Sequence, residues 1–481
     1  MARLSFPVLT SLFALLASTA VAVKPLVIQG SQFVDPDKDT RFQIIGVDYQ
    51  PGGASGYNPN SNEDVLTDPV VCLRDATMLQ RMGANTIRIY NVNPTLDHDE
   101  CMSIWNAAGI YVILDVNAPV INESLNRLEP WTTYHKGYLF RVFQMVEAFK
   151  GYPNTLAFFG GNEVINEDAH EEVPSYIRAV QRDLRNYINE HSDRPIPVGY
   201  SAADIRDILA DTWNYVSCEI EDEPTSRSEF FGLNSYSWCG DSSYTKSGYD
   251  DLVDMFAGTS NPIFFSEYGC NEVMPRIFTE VQALYGEEMT EVFGGGLIYE
   301  YTQEKNNYGL VKLGDDHRLD LIVDYENLLN QYNKLDMEML QSINATATKV
   351  DPPKCDKKLI QSKNFQNDFK LPKVPPGVDK MIQEGVPGAH VGKLVDVTET
   401  KVKTAVYTSD GQRLAGLELK IIDDDKSNVP GENTSGTPTD DPESEDGDDS
   451  DDSDDDKEGA ASAVTVSAMS VFAAVLGFFV M

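Results

Sequence analysis

A (β/α)8 barrel is the fold the sequence predicts, and three observations carry that expectation. Eight short apolar runs recur between residues 40 and 345, amphipathic stretches of helical spacing follow them, and the runs are continuous rather than alternating. A strand that is polar at every second residue has one wet face. A strand apolar throughout is covered on both, as in a parallel sheet wrapped by helices. Eight strand–helix units over some 300 residues make a closed barrel, and the alternation of strands with helices argues against a sandwich. An open doubly wound sheet is the competing arrangement. No dinucleotide fingerprint supports it, and Gly294-Gly295-Gly296 opens a strand rather than a helix.

Along the chain, Arg3 precedes the apolar run Leu9 to Ala17, and Ala20-Val21-Ala22 supplies small residues. That pattern is a secretory signal peptide over residues 1–22. The barrel is expected over 23–345. Its runs are Phe42 to Tyr49, Thr86 to Tyr90, Tyr111 to Val116, Leu156 to Val164, Ile196 to Ser201, Phe230 to Tyr236, Ile263 to Tyr268 and Gly296 to Tyr301. A helix is expected at Val70 to Met82, with Val70, Leu73, Thr77 and Met78 on one stripe and Gly83 ending it. Tyr138 to Lys150 places Leu139, Val142, Phe143, Val146 and Phe149 on one face, and Tyr325 to Ile343 repeats the pattern after the eighth run.

Residues 346–422 are expected to form an extended wrap and a small β appendage. Thr346 to Val386 is rich in Pro and Lys, and Asp410-Gly411 is a turn between the strands Thr400 to Thr408 and Leu414 to Ile421. Residues 423–459 are expected as an acidic disordered spacer, because thirteen acids face one lysine between Asp440 and Glu458. Residues 460–481 carry no charge; small Gly459-Ala460-Ala461 stand before the apolar Val471 to Met481. This order fits a GPI-attachment propeptide with Gly459 as the attachment residue. The alternative, a spanning tail helix, would usually carry Lys or Arg after it.

Composition narrows the function. Asp plus Glu number 76 against 38 Lys plus Arg, a formal charge of -38, which repels phosphate backbones and excludes nucleic acid as a default partner. Six cysteines without a CxxC spacing, in a secreted chain, are expected to be oxidised rather than to bind zinc. His170-Glu171-Glu172 lacks the second His of a metalloprotease helix, so no metal or cofactor is expected. Asn122, Asn344 and Asn433 head N-glycosylation acceptor triplets.

The chemistry of such a barrel lies at the carboxyl ends of its strands. Here those ends read Asp48-Tyr49-Gln50, Arg88-Ile89-Tyr90, Asp115, Gly161-Asn162-Glu163, Asn234-Ser235-Tyr236, Ser266-Glu267-Tyr268 and Tyr299-Glu300-Tyr301. Carboxylates, amides and tyrosines suit a sugar: aromatic faces for its C–H side, acids and amides for its hydroxyls. Glu163 and Glu267 close the fourth and seventh strands, on roughly opposite sides of the mouth. Two carboxylates flanking a glycosidic bond are the minimum equipment for its cleavage. The bland alternative, an acid neutralised by a neighbour such as Arg88, is weakened by Asn162, which is placed to bond a sugar 2-hydroxyl.

At these residues a family resemblance becomes close. Val47-Asp48-Tyr49-Gln50-Pro51-Gly52, Ile87-Arg88-Ile89-Tyr90, Gly161-Asn162-Glu163-Val164, Ser237-Trp238-Cys239-Gly240 and Phe265-Ser266-Glu267-Tyr268-Gly269-Cys270 resemble the fungal β-1,3-glucanosyltransferases of glycoside hydrolase family 72, the GPI-anchored wall-remodelling Gas/Gel/Phr group. The resemblance runs from about residue 24 to beyond 420. It implies a retaining enzyme that cleaves one β-1,3-glucan and elongates another, with donor and acceptor glucan chains as partners. It implies Glu163 as acid/base and Glu267 as nucleophile. Tyr90, Asn162, Asp204, Tyr236 and Tyr299 are implied as glucan-binding residues, with Gln50 and Asp115 nearby. Location would be the outer face of the plasma membrane through the GPI anchor, or the wall. One departure is Leu209, where the family often has an arginine; Arg206 is the candidate substitute. The Cys-rich carbohydrate-binding module of some members is absent. A hydrolytic endo-β-1,3-glucanase and a non-catalytic glucan-binding wall protein are the rival functions.

Six cysteines allow 15 pairings. Cys239 and Cys270 each stand three residues beyond a strand-end residue of neighbouring strands, so they are expected to pair. Cys72 and Cys101 lie early in neighbouring helices. That leaves Cys218 with Cys355, a staple of wrap to barrel that the family also suggests.

Overall fold

The computed structural model describes residues 23–167, 172–342, 349–423 and 425–439. An antiparallel sheet comes first: β1 (Val27–Gln29), β2 (Gln32–Asp35) and β3 (Thr40–Phe42). The barrel strands follow as β4 (Ile44–Asp48), β5 (Thr86–Ile89), β6 (Tyr111–Asp115), β7 (Thr155–Asn162), β8 (Val198–Ala203), β9 (Phe230–Asn234), β10 (Ile263–Tyr268) and β11 (Phe293–Ile298). They pair in parallel and close on themselves through β11 and β4, with helices between successive strands. The expected (β/α)8 barrel is the fold. At the seam Gly295 has φ 88°, and a Cβ there would stand 2.1 Å from the Ile44 carbonyl oxygen. Only glycine permits that approach, and it lets the eighth strand start earlier than the apolar run suggests.

The first run divides at Gln43. Its early part is β3, so the chain builds a three-stranded cover before it enters the barrel. Phe33 of that cover meets Phe230 and Phe264 with ring centroids 5.9 and 6.2 Å away. Together with Leu26, Ile44, Ile113, Phe159 and Leu297 these rings fill the barrel interior. Each buried Phe contributes about 1.5–3 kcal/mol. The larger core lies between strands and helices.

The helix Pro69–Met82 is capped by Asp68, whose carboxylate accepts from the Val70 and Val71 amides, and ends at Gly83 with φ 94°. Lys136–Phe149 follows β6 as its periodicity requires. The third expected helix breaks in two, Val323–Tyr332 and Met337–Gln341, because the Asp336 side chain caps a fresh start at the Met339 amide. The cysteines form three bridges, Cys72–Cys101, Cys218–Cys355 and Cys239–Cys270.

Beyond Cys355 the wrap has little regular structure, so its backbone groups need partners elsewhere. Barrel helices supply them. Asp211 accepts from the Gln361 and Ser362 amides, while Asn214, Arg182 and Gln144 donate to the carbonyls of Leu359, Pro372 and Pro387. The β appendage is woven into the barrel rather than set beside it. In the sheet β12 (Val311–Leu313), β13 (Leu319–Leu321), β14 (Val406–Tyr407), β15 (Arg413–Ala415) and β16 (Thr437–Thr439), the first two strands belong to the segment after β11.

The expected spacer boundary at 423 is corrected. Residues 425–439 pack against the barrel and end in β16. Asn428 is fully buried and donates to the Gln80 and Ala84 carbonyls; a Cβ on Gly83 would overlap Pro430. The charge run that suggested disorder begins only at Asp440. Residues 440–481, including Gly459 and the expected GPI propeptide, lie outside the described residues, as do the expected signal peptide over 1–22 and Asn344. Among the described residues no helix is long and apolar enough to cross a membrane. Asn433 is also corrected as a glycan acceptor. It is 4% exposed, and its amide donates to Gln80 Oε1 and the Glu418 carbonyl, leaving no room for a sugar. Asn122 is exposed.

Candidate active site

Arg88 organises the mouth of the barrel. It stands one residue before the end of β5, fully buried, between the rings of Tyr90 and Phe159 at 4.3 and 4.5 Å. A buried guanidinium needs every donor met. Its Nε and Nη2 grip the two oxygens of Asp115 at 3.1 and 3.0 Å, Nη2 also reaches Asn162 Oδ1 at 3.0 Å, and Nη1 reaches Glu267 Oε1 at 3.3 Å. The sequence left open whether Arg88 would neutralise a lone acid. Instead it is the hub that ties β5, β6, β7 and β10 together.

Glu267 sits within β10 and is 8% exposed. Tyr90 and Tyr236 donate their hydroxyls to its Oε1 and Oε2 at 2.8 and 2.7 Å. Burial pushes its carboxyl up to about 7; Arg88 pulls it back, Glu163 across the cleft adds to the rise, and the two tyrosines oppose it. Each tyrosine is itself pushed up, by burial first, so both remain donors. Beneath them Asp48 is fully buried and pushed well above the usual carboxylate range by burial, against the pull of Arg88.

Glu163 follows β7 with φ 48°, a left-handed backbone uncommon outside glycine. Its amide donates to the Ser201 carbonyl at 2.8 Å, which fixes that turn and aims the side chain over the mouth. Asn234 of β9 reaches across β8 to donate to Glu163 Oε1 at 2.8 Å and to Asn162 Oδ1 at 3.1 Å. Ser201 and Ser266 hold the Asn234 carbonyl oxygen in turn, at 3.0 and 2.7 Å. Thus Arg88, Asn162 and Asn234 form one polar bridge with Glu267 at one end and Glu163 at the other. The ladder slips between Phe159 and Asn162 on β7, and between Phe265 and Glu267 on β10, so both acids follow a local irregularity. Such slips re-aim side chains.

Three tyrosines wall one side. The Tyr299 ring lies 6.3 Å from Tyr236, 6.4 Å from Tyr90 and 5.3 Å from Tyr308, and Tyr308 lies 5.4 Å from Tyr236. On the other side a cleft of about 310 Å³ runs past Tyr90, Asn91, Asp115, Asn117, Arg127 and Asn162. A second, of similar volume, adjoins it at Asn91 and is lined by Gln50 and Tyr57. A larger cavity of about 460 Å³ lies at the opposite end, between the amino-terminal cover and the tail, away from all of these groups.

The structure therefore brings Tyr90, Asn162, Glu163, Tyr236, Glu267 and Tyr299 to one mouth. Gln50 and Asp115 are turned to support. Gln50 accepts from the Tyr90 and Asn91 amides at 3.2 and 3.0 Å, and Asp115 is engaged with Arg88. Asp204 is held by Arg206 at 2.5 and 3.0 Å and by Ser235 Oγ at 2.7 Å. Leu209 is buried, 1% exposed. Asn234 and Tyr308 join the site without a sequence signal that singles them out. Asn234 stood at a strand end, but its bond to Glu163 spans two strands; Tyr308 lies in a loop without any periodic signal.

Comparison with known proteins gives one consistent result. A family model described as Glucanosyltransferase matches residues 15–336. The 1,3-beta-glucanosyltransferase gel2 of Aspergillus fumigatus is 56% identical over 422 residues, 88% of each chain. The probable 1,3-beta-glucanosyltransferase GAS3 of Saccharomyces cerevisiae is 46% identical over 414 residues, 82% of this chain and 78% of that one. Saccharomyces cerevisiae Gas2p in complex with laminaripentaose superposes with a TM-score of 0.67 at 36% identity, covering 74% of this chain and 78% of that one.

Proposed function

The chain belongs to the glucanosyltransferases of glycoside hydrolase family 72, and from that premise we propose that Glu163 and Glu267 cleave an internal β-1,3-glucan linkage and pass the new reducing end to the non-reducing end of a second chain. The observation that carries the reading is the pair of carboxylates held at the two ends of one polar bridge, beside a tyrosine wall. Laminaripentaose bound to Gas2p supports a β-1,3-glucan as the ligand.

Glu267 attacks the anomeric carbon as a carboxylate. The bond to the departing oxygen breaks while Glu163, protonated, delivers its proton to that oxygen. Arg88, Tyr90 and Tyr236 all donate to Glu267 and favour its ionised form, which is the form that attacks. The glycosyl ester on Glu267 is then opened by the 3-hydroxyl of an acceptor. The hydroxyl proton goes to the Glu163 carboxylate as the sugar leaves Glu267. Water competes for the same ester, so transfer requires an acceptor held in line; good orientation supplies an effective molarity of about 10⁵ M or more. The faces of Tyr236, Tyr299 and Tyr308 are the surface on which that acceptor rests.

Incubation with a reduced β-1,3-oligosaccharide tests the reading. Products longer than the substrate, joined by new β bonds, are expected. Glu163→Gln and Glu267→Gln should each lower activity by about 10³-fold or more while oligosaccharide binding persists. Products no longer than the substrate would make the chain an endo-β-1,3-glucanase; full activity in either variant would remove the assignment.

The proposal extends to location. A signal peptide over 1–22, a GPI anchor at Gly459 and glycans at Asn122 and Asn344 fit an enzyme on the outer face of the plasma membrane or in the wall. The sequence patterns support this, as does the exposure of Asn122. Phosphatidylinositol-specific phospholipase should release the protein from membranes; recovery of a peptide beyond Ala461 from the mature form would refute the anchor.

A further inference from the structure

Arg276 makes no hydrogen bond to either catalytic acid, yet it gathers the backbone beneath the tyrosine wall. It lies on the segment after β10 and is 2% exposed. Its Nε donates to Asp324 Oδ2 at 2.8 Å, on the helix Val323–Tyr332. Its Nη1 donates to the Tyr299 carbonyl at 2.8 Å and the Gly269 carbonyl at 3.4 Å. Its Nη2 donates to the carbonyls of Tyr308 at 2.5 Å and Gly309 at 3.1 Å. The guanidinium also lies 4.7 Å from the Phe278 ring centroid and 5.9 Å from that of Tyr308. One planar fork thus joins the ends of β10 and β11, the loop after β11 and a barrel helix.

Two of its carbonyl partners belong to the very tyrosines whose rings face Tyr236. We propose that Arg276 is a positioning residue that sets how the glycosyl-enzyme divides between an acceptor sugar and water, by fixing Tyr299 and Tyr308 against Tyr236. The proposal rests on the reading of those rings as the acceptor surface. Water needs no wall to attack the ester, whereas an acceptor does, and a displacement of about 1 Å in an oriented reaction costs about 10²-fold. The guanidinium is not interchangeable with an ammonium, which cannot reach several carbonyls in one plane.

The measurement is the ratio of transfer to hydrolysis products from one reduced β-1,3-oligosaccharide at fixed concentration, with purified full-length protein. Both products come from the same intermediate, so the ratio does not depend on how much of a variant is folded or active. In Arg276→Lys the ratio should fall about tenfold or more, and the acceptor concentration needed for half-maximal transfer should rise. Asp324→Asn, which loosens the same fork from the helix side, should shift the ratio in the same direction by less. An unchanged ratio in Arg276→Lys overturns the proposal; where that variant yields no secreted protein, an unchanged ratio in Asp324→Asn does so. A wild type that makes no elongated product would instead overturn the transferase reading itself.

Discussion

Burial and hydrogen bonding oppose each other at the Glu267 carboxyl. Its surroundings raise it to about 7, while Arg88, Tyr236 and Tyr90 hold it below the value burial alone would set. In the proposed mechanism it is the ionised form that attacks, so kcat/KM should rise with pH through a midpoint above the ordinary glutamate range. Tyr236→Phe deletes a donor that favours the carboxylate, so the midpoint should move further up, by about one pH unit for a charge-assisted bond of ~1.5 kcal/mol. A pH–rate profile decides, and an unmoved or lowered midpoint would remove that role. Asn234 acts on the partner acid. As Glu163 gives up its proton the bond from Asn234 becomes one to a developing charge, so Asn234→Ala should lower kcat about 10- to 100-fold, the worth of one such bond, and single-turnover measurement of leaving-group release would register it.

Secondary elements deliver these groups through departures from regularity. β7 and β10 slip in register just before their acids, and Glu163 takes a left-handed turn that costs about 1–3 kcal/mol. Elsewhere the wrap is held by side chains and by Cys218–Cys355, which closes a loop of 137 residues. Replacing both cysteines by alanine should lower stability by about 5 kcal/mol on the chain-entropy model, measurable as a lowered denaturant midpoint. The corrected tail boundary yields a sharper test. A chain ending at Thr439 should melt as the full protein does. One ending at Ile422 loses the buried amides of Asn428 and Asn433 and should melt several degrees lower, since each unsatisfied buried group costs about 1–3 kcal/mol. Peptide mapping of glycans should find Asn122 modified and Asn433 bare.

Across the whole molecule, function and stability pull apart. The antiparallel cover and its phenylalanines close one end of the barrel, and the opposite end holds buried acids around one arginine. Glu267 binds its proton more tightly folded than unfolded. Its ionisation therefore costs stability progressively as pH rises from about 4.3, its unfolded value, to about 7. Glu267→Gln removes that cost. The variant should match the wild type in Tm near pH 4 and exceed it by several degrees at pH 8, as thermal melts across pH will show. Equal melting temperatures at both values would mean that the carboxyl is not held above its usual range.

The barrel was legible in the chain, because strands buried on both faces must be apolar throughout and their helices must carry one apolar stripe. The placing of two acids and most of the tyrosines at the mouth was legible too, since strand ends can be read in order along the chain. What those side chains touch is settled only once the chain has folded. Arg88 reaches three strands, Asn234 reaches Glu163 across β8, and Arg276 reaches two loops that share no sequence pattern with it. The end of the folded tail is settled in the same way, by Asn428 and Asn433 finding buried partners more than three hundred residues away. Periodicity records which face of an element is dry; a hydrogen bond between distant elements leaves no period in the chain.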